Sequence, residues 1–411
     1  MRAVHRYAPI WAAVLCSSLV LRPPLAVVGP LIPSLQTDLG VSHSIAGLIP
    51  AVLLLAMGLS SLSAPMVVRR VGWVWTTTAM LALIVIASVA RAVAPSATLV
   101  ILLSIPIGIG AGIGGASLPA AIADLYRDRR AAGTAIHALG INLGALTAAA
   151  LAVPIADAFG GWRGAFVLFA IVGVCLSLVW VLGTRNEDER TPPPTLALPI
   201  HNPRAWALTC LFALQGLCYY GFGAWLADAY VEQGWSQSTA GELIAVLTAA
   251  AVPTSFIVPR IAGRLGSRVT PLLSCTVALV TGSFILAEWP KLAWVGATIV
   301  GLSLGGLFSL CLLLAVDLGR RTREVAGFAG MMLGFGYAVS AAAPLALGVA
   351  RDAAGSFQAA LWLMVAVAIS IFVFLVSARR LLVPAKMLGP ETDSSPASSQ
   401  REPESARART P

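Results

Sequence analysis

Charge is what this chain has least of. Asp, Glu, Lys and Arg make up 11% of 411 residues, against 58% hydrophobic residues and a mean hydropathy of +0.86. That balance excludes an ordinary soluble globular protein, in which about a quarter of residues are charged. Metal-binding cysteine patterns are missing too. Cys16, Cys175, Cys210, Cys218, Cys275 and Cys311 are scattered through apolar segments without Cys-x-x-Cys spacing, so they read as packing residues. No metal and no cofactor is expected. The net charge of +9 comes from arginines in short clusters between apolar runs, a topology signal and not a nucleic-acid footprint. No nucleic-acid partner is expected. The first apolar run follows Arg2 and Arg6 but is longer than the core of a signal peptide and lacks a small-residue cleavage site, so it reads as a mature helix.

What remains is a succession of apolar segments, each of the roughly 20 residues that cross a bilayer. They fall near 9–35, 44–68, 73–92, 98–122, 132–156 and 163–183, then near 205–230, 239–261, 269–287, 293–317, 325–350 and 357–381. The expectation is an all-α membrane protein of twelve transmembrane helices, numbered here as spans 1 to 12. The charged, then proline-rich stretch TRNEDERTPPPTLALPIHNP reads as a linker over 184–203 between an N-terminal half (1–183) and a C-terminal half (204–385). Residues 386–411, rich in Ser, Pro, Glu and Arg, read as a disordered tail. Between spans on the face opposite the termini only Arg91, Arg163, Lys291 and Arg351 are basic. The positive-inside rule therefore predicts cytoplasmic termini and a multi-pass protein of the inner (plasma) membrane.

The run from Ile10 to Leu35 carries the sharpest local signal. Arg22 sits at its centre, about 18 Å from either end by helical rise, and Pro23 and Pro24 follow at once. An arginine at the centre of a span costs about 2.5–3.5 kcal/mol to insert, so it normally faces a wet interior or a ligand path. The prolines remove backbone donors and predict a bend or loosening beside the charge.

An internal repeat supports the two halves. Val41–Gly72 (VSHSIAGLIPAVLLLAMGLSSLSAPMVVRRVG) aligns without gaps, at an offset of 194, with Trp235–Gly266 (WSQSTAGELIAVLTAAAVPTSFIVPRIAGRLG). Within one residue, the same offset pairs Asp124 with Asp317, Leu139 and Gly140 with Leu333 and Gly334, and Asp157 with Asp352. A shift of six spans preserves direction, so the repeats are parallel, related by an axis along the membrane normal.

Twelve spans in two parallel halves, with basic loops after spans 2, 4, 8 and 10, resemble the major facilitator superfamily. The segments LRPPLAVVGPLIPSLQTDLGVSHSIAGLIPAV, APMVVRRVG, RAVAP and GGWRGAF are similar, more narrowly, to its cyanate and 2-nitroimidazole transporter family. The resemblance implies alternating access and a central cavity lined by spans 1, 4, 7 and 10. This chain departs from the superfamily's Asp-Arg-x-Gly loop, which here reads Arg69, Arg70, Val71, Gly72 and Gly263, Arg264, Leu265, Gly266; the missing acid puts the usual charge latch in doubt. It also has Ser104 where proton-driven drug exporters carry an arginine, and lacks their Gly-Pro pair in span 5.

The candidate substrate-binding residues are Arg22, Gln215, Tyr219, Tyr220 and Asn142. A guanidinium in a low-dielectric cavity attracts an anion and grips a planar one through two donors. No carboxylate lies at its depth in the sequence. At the repeat offset Arg22 corresponds to Gly216, replacing charge by space, with Gln215 and Tyr219 one turn apart and Tyr220 beside them. Each also reads as a helix–helix hydrogen bond. His137 is a possible proton relay, against a structurally satisfied histidine. Asp124 with Arg127, and Asp317 with Arg320, read as gating or helix-end pairs. Asp228, Glu242 and Arg91 lie near far-side helix ends, serving an outer gate or simply being solvated. The glycines of spans 4 and 10 read as close packing, since neither a Walker lysine nor a strand is present.

These residues point to a secondary active or facilitative transporter, expected to be monomeric, for a small anion or polar heterocycle: cyanate-like, a small carboxylate, or nitroimidazole-like. A multidrug or metabolite efflux permease is the nearest alternative. A transport-inactive sensor lacks a folded soluble module, and an enzyme lacks convergent catalytic side chains, so no catalytic residue is assigned.

Overall fold

The computed structural model describes residues 2–126, 130–185, 197–319 and 321–382. All regular structure among them is helical. Eleven helices are long and apolar enough to cross a membrane, and a bent pair in the first run makes the twelfth span. Span 1 comprises Arg2–Val20, Pro23–Ala26 and Val28–Leu39. Spans 2 to 6 are His43–Ser61, Trp73–Ala92, Ala97–Leu125, Arg130–Ala158 and Trp162–Thr184. Spans 7 to 10 are Pro203–Glu232, Gln237–Leu265, Val269–Glu288 and Ala293–Leu318. Span 11 is Thr322–Ser340 with Ala342–Ala354, and span 12 is Gln358–Leu382.

Local chemistry sets the boundaries. Ser42 caps span 2 by accepting from the Ile45 N–H, and Ser236 caps span 8 by accepting from the Thr239 N–H, so the repeat extends to its caps. Gly40 at the end of span 1 and Gly266 at the end of span 8 take left-handed φ of 62° and 63°, which a side chain would resist.

Glycine sets the packing inside each half. A Cβ on Gly108 or Gly112 of span 4 would collide with the carbonyl oxygens of Leu53 and Met57 on span 2, so these helices touch backbone to backbone. In the second half Gly301 and Gly305 of span 10 lie in the same way against Leu247 and Ala251 of span 8. Small-residue contact of this kind replaces the hydrophobic drive that lipid cannot supply. Large apolar side chains point outward instead, as expected of a lipid-facing surface, Ile86 and Leu182 among the most exposed.

Candidate functional site

Span 1 is interrupted at Leu21 and Arg22, beside the prolines, and Ile10–Ala26 and Val28–Leu39 meet at 42° a turn further on, across Val27. Arg22 caps the short helix Pro23–Ala26 and reaches across to the second half. Its Nη1 donates to the Tyr220 hydroxyl of span 7 at 3.0 Å, and its Nη2 to the Tyr337 hydroxyl of span 11 at 3.2 Å. Tyr219, Tyr220 and Tyr337 form an edge-on chain, with ring centroids 5.0 and 6.1 Å apart. Both polar partners of Arg22 are phenol oxygens. The arginine ion pairs formed among the described residues, Arg163–Asp38, Arg268–Asp317 and Arg351–Glu232, lie elsewhere.

Beside this fork is a cavity of about 50 Å³, lined by Arg22, Pro50, Ala145, Tyr219, Tyr220 and Thr248, among others. Its walls come from spans 1, 2, 5, 7 and 8, whereas spans 4 and 10 were expected to line it. The reason is visible in the glycine seams, which commit span 4 to span 2 and span 10 to span 8. Two turns along span 1 from Arg22, a Cβ on Gly29 would collide with the carbonyl oxygen of Gly223 on span 7. The halves therefore meet backbone to backbone on the far side of the cavity.

The other sequence candidates are placed as follows. Gln215 is buried and donates to the Leu304 carbonyl of span 10 at 3.4 Å, and Asn142 donates to Ala138 of its own helix at 2.8 Å; neither lines the cavity. Gly216, the repeat equivalent of Arg22, leaves no free space, because Ser340 of span 11 packs against it. His137 Nδ1 is 2.7 Å from the Ser18 hydroxyl, tying span 5 to span 1. Asp124 accepts from Trp73 Nε1 at 3.1 Å, while Asp317, its repeat equivalent, pairs with Arg268 at 2.8 Å. The partners named from sequence, Arg127 and Arg320, lie outside the described residues, as do 386–411 and most of the linker.

Three features escaped the sequence. Tyr337 completes the fork, but nothing in a lone tyrosine of span 11 says that it meets span 1. Arg91, read as a helix-end charge, is 1% exposed and donates to the Pro24 carbonyl at 2.7 Å and to Ser104 Oγ at 3.5 Å, stacked 4.5 Å from the Phe166 ring. It braces the break in span 1 from within its own half. His43, at the start of span 2, lies between Asp228 and Asp352 of the other half.

A bundle of twelve spans, broken at its first helix around a buried cation and a small internal cavity, has the architecture of a membrane transporter. The family model for the major facilitator superfamily matches residues 14–341, and the chain belongs to that superfamily. It is 28% identical over 354 residues to an uncharacterised transporter, YycB, of Bacillus subtilis (strain 168), covering 84% of this chain and 87% of the relative. It is 27% identical to the cyanate transport protein CynX of Escherichia coli (strain K12), covering 82% and 88% of the two chains. To the 2-nitroimidazole transporter of the same bacterium it is 25% identical, covering 84% and 89%. In fold it is similar to the crystal structure of a bacterial homologue of the human lysosomal transporter Spinster, inward-facing and unoccupied. That TM-score is 0.74 at 16% identity, over 92% of this chain and 96% of the other.

Proposed function

We propose that this superfamily transporter moves a small anion by alternating access, as a secondary active or facilitative carrier, with Arg22 as its principal substrate contact. The observation that carries the reading is the fork itself. A guanidinium kept inside the bundle has two neutral hydroxyls as its polar partners, so it retains a full positive charge for a ligand to neutralise. A planar anion bridging Nη1 and Nη2 would take the place of the two phenols or be held by them, with Tyr219 on the cavity wall beside it. Thr248 offers a further hydroxyl.

Size narrows the substrate. A cavity of about 50 Å³ has room for a few water-sized groups. A triatomic anion or a small carboxylate fits the cavity as it stands. A nitroimidazole or a larger molecule would need more room than the cavity offers in this conformation. The small-anion end of the range is also where the relative that transports cyanate lies.

In this reading residues 1–183 and 204–385 move as two halves joined by the 184–203 linker, with 386–411 as a tail. The protein acts as a monomer in the plasma membrane with both termini cytoplasmic. Gln215, Asn142 and His137 hold helices together near the path, and Asp124 and Asp317 fix helix ends on the termini side.

The test is flux in proteoliposomes loaded with cyanate, nitrate, acetate or a 2-nitroimidazole, at two pH values. Arg22→Ala is expected to abolish the flux of whichever substrate the native protein carries, while the variant stays monodisperse. Arg22→Lys, a point charge without the two-donor fork, should retain a small part of it. Unchanged flux in Arg22→Ala overturns the assignment.

A further inference from the structure

On the far side the halves meet at a polar cluster distinct from the Arg22 fork. His43, the first residue of span 2, lies between two carboxylates of the second half. Its Nδ1 is 2.9 Å from Asp352 Oδ1 on span 11, and its Nε2 is 3.5 Å from Asp228 Oδ2 on span 7. Asp352 also accepts from the His43 backbone N–H at 3.3 Å, from the Ser44 N–H at 2.8 Å and from the Ser44 hydroxyl. A carboxylate taking so many donors at a helix N-terminus acts as an acceptor throughout. Nδ1 is therefore the donor in its contact with Asp352.

That assignment fixes what Nε2 can be. In a neutral imidazole protonated at Nδ1, Nε2 carries a lone pair, and it would face a carboxylate oxygen, acceptor against acceptor. The clasp is satisfied only when one more proton sits on the His43–Asp228 pair. Gln36 of span 1, with its amide oriented to satisfy both neighbours, donates to Asp228 Oδ2 at 3.1 Å and accepts from the His43 N–H at 3.3 Å. The other charged groups facing the cluster, Glu232 of span 7 and Arg351 of span 11, pair with each other at 3.1 Å. Trp225 and Phe357 wall the imidazole, with ring centroids 5.7 and 5.3 Å away.

We propose that His43, Asp228 and Asp352 form a proton-binding site that clasps the two halves on the far side. With the proton bound, His43 joins the halves through both ring nitrogens. With the proton lost, Nε2 and Asp228 repel, and the clasp is weakened to its Asp352 arm, which favours opening. Closing takes up one proton, so the open-to-closed ratio rises by up to about tenfold per pH unit across the range where the site titrates. Acid on the far side shuts this gate and alkali frees it. The inference rests on the transporter reading only in that the halves move, and owes nothing to Arg22.

The test uses the full chain in lipid nanodiscs without substrate. Spin labels are placed through Thr37→Cys and Ala354→Cys, exposed positions on the far side of the two halves, in a background freed of the native cysteines. At about pH 5 one short distance is expected, and at about pH 8 a longer population, the ratio changing by about tenfold or more. Asp228→Asn supplies an amide N–H to Nε2 permanently and should hold the short distance at both pH values. His43→Gln should remove the pH dependence as well. Hydrogen exchange over 36–46 in the cysteine-containing chain, compared between variants at one pH, gives a second readout that needs no labels. A wild-type distribution identical at both pH values, or a pH shift surviving in both variants, overturns the proposal. Arg22→Lys should keep the shift, so failure of the substrate assignment and failure of the clasp are told apart.

Discussion

Arg91 donates to the carbonyl oxygen of Pro24 at 2.7 Å, two residues along from the Arg22 that reaches into the opposite half. The break in span 1 thus lies between two arginines of the same half, Arg91 holding it from within that half and Arg22 reaching from it to the other. Arg91→Met removes a buried charge, with its desolvation cost, together with a charge-assisted hydrogen bond worth about 1.5–3 kcal/mol. The two oppose each other, so the melting temperature should move less than the loss of the hydrogen bond alone would move it. The angle of the break should not survive, and uptake of an Arg22-dependent substrate is expected to fall at least tenfold, measured in proteoliposomes beside thermal unfolding. A large loss of stability with normal uptake would show that Arg91 serves packing alone.

Tyr337→Phe and Tyr220→Phe each take one acceptor from the Arg22 guanidinium while keeping the ring. A charged donor left without its partner costs about 1–3 kcal/mol or more, so each variant should unfold earlier than the native chain. Added cyanate should stabilise the variants more than the native protein, because the anion replaces the lost oxygen. Thermal shift with and without cyanate checks both statements.

The glycine seams predict a sharp positional contrast. Gly112→Val must force span 4 off the Met57 carbonyl, and Gly305→Val must force span 10 off that of Ala251. Both are expected to cost about 1–3 kcal/mol or more and to lower the yield of monodisperse protein. Gly115→Ala, where the nearest atom is Leu21 Cδ1 at 3.8 Å, should be close to neutral.

Arg268 and Asp317 fix the end of span 10 through a 2.8 Å contact that is about nine-tenths buried. Arg268→Met leaves a largely buried carboxylate unpaired and should cost about 3–5 kcal/mol. A double-mutant cycle with Asp317→Leu is expected to return a coupling of similar size. Strict additivity in thermal unfolding would remove the pair from the account of stability.

Much of the architecture was legible because lipid imposes a simple rule on sequence. Twelve apolar segments, the repeat between spans 2 and 8, and a kink at Pro23 and Pro24 all follow from local pattern, and each has its counterpart in the fold. Arg22 was legible for the same reason, since a charge at mid-span stands out. What the pattern hid was who meets whom across the bundle. Tyr337 and Arg22 are 315 residues apart, and no periodicity links them. Gln215 and Asn142 have the chemistry of a ligand site, but rotation about their helix axes, set by packing, gives their amides to backbone carbonyls. Arg91 read as a solvated end because a charge in a helix's last turn is ordinarily solvated; its contact with Pro24 is a tertiary property.

The contact between Gly29 and Gly223 leaves the cavity with the thinnest ceiling a polypeptide can build, main chain on main chain with no side chain between. At that one contact there is no side chain whose rotamer must change. Opening there needs the two helices to part, which ties the stiffness of this contact to whatever clamps those helices at their ends.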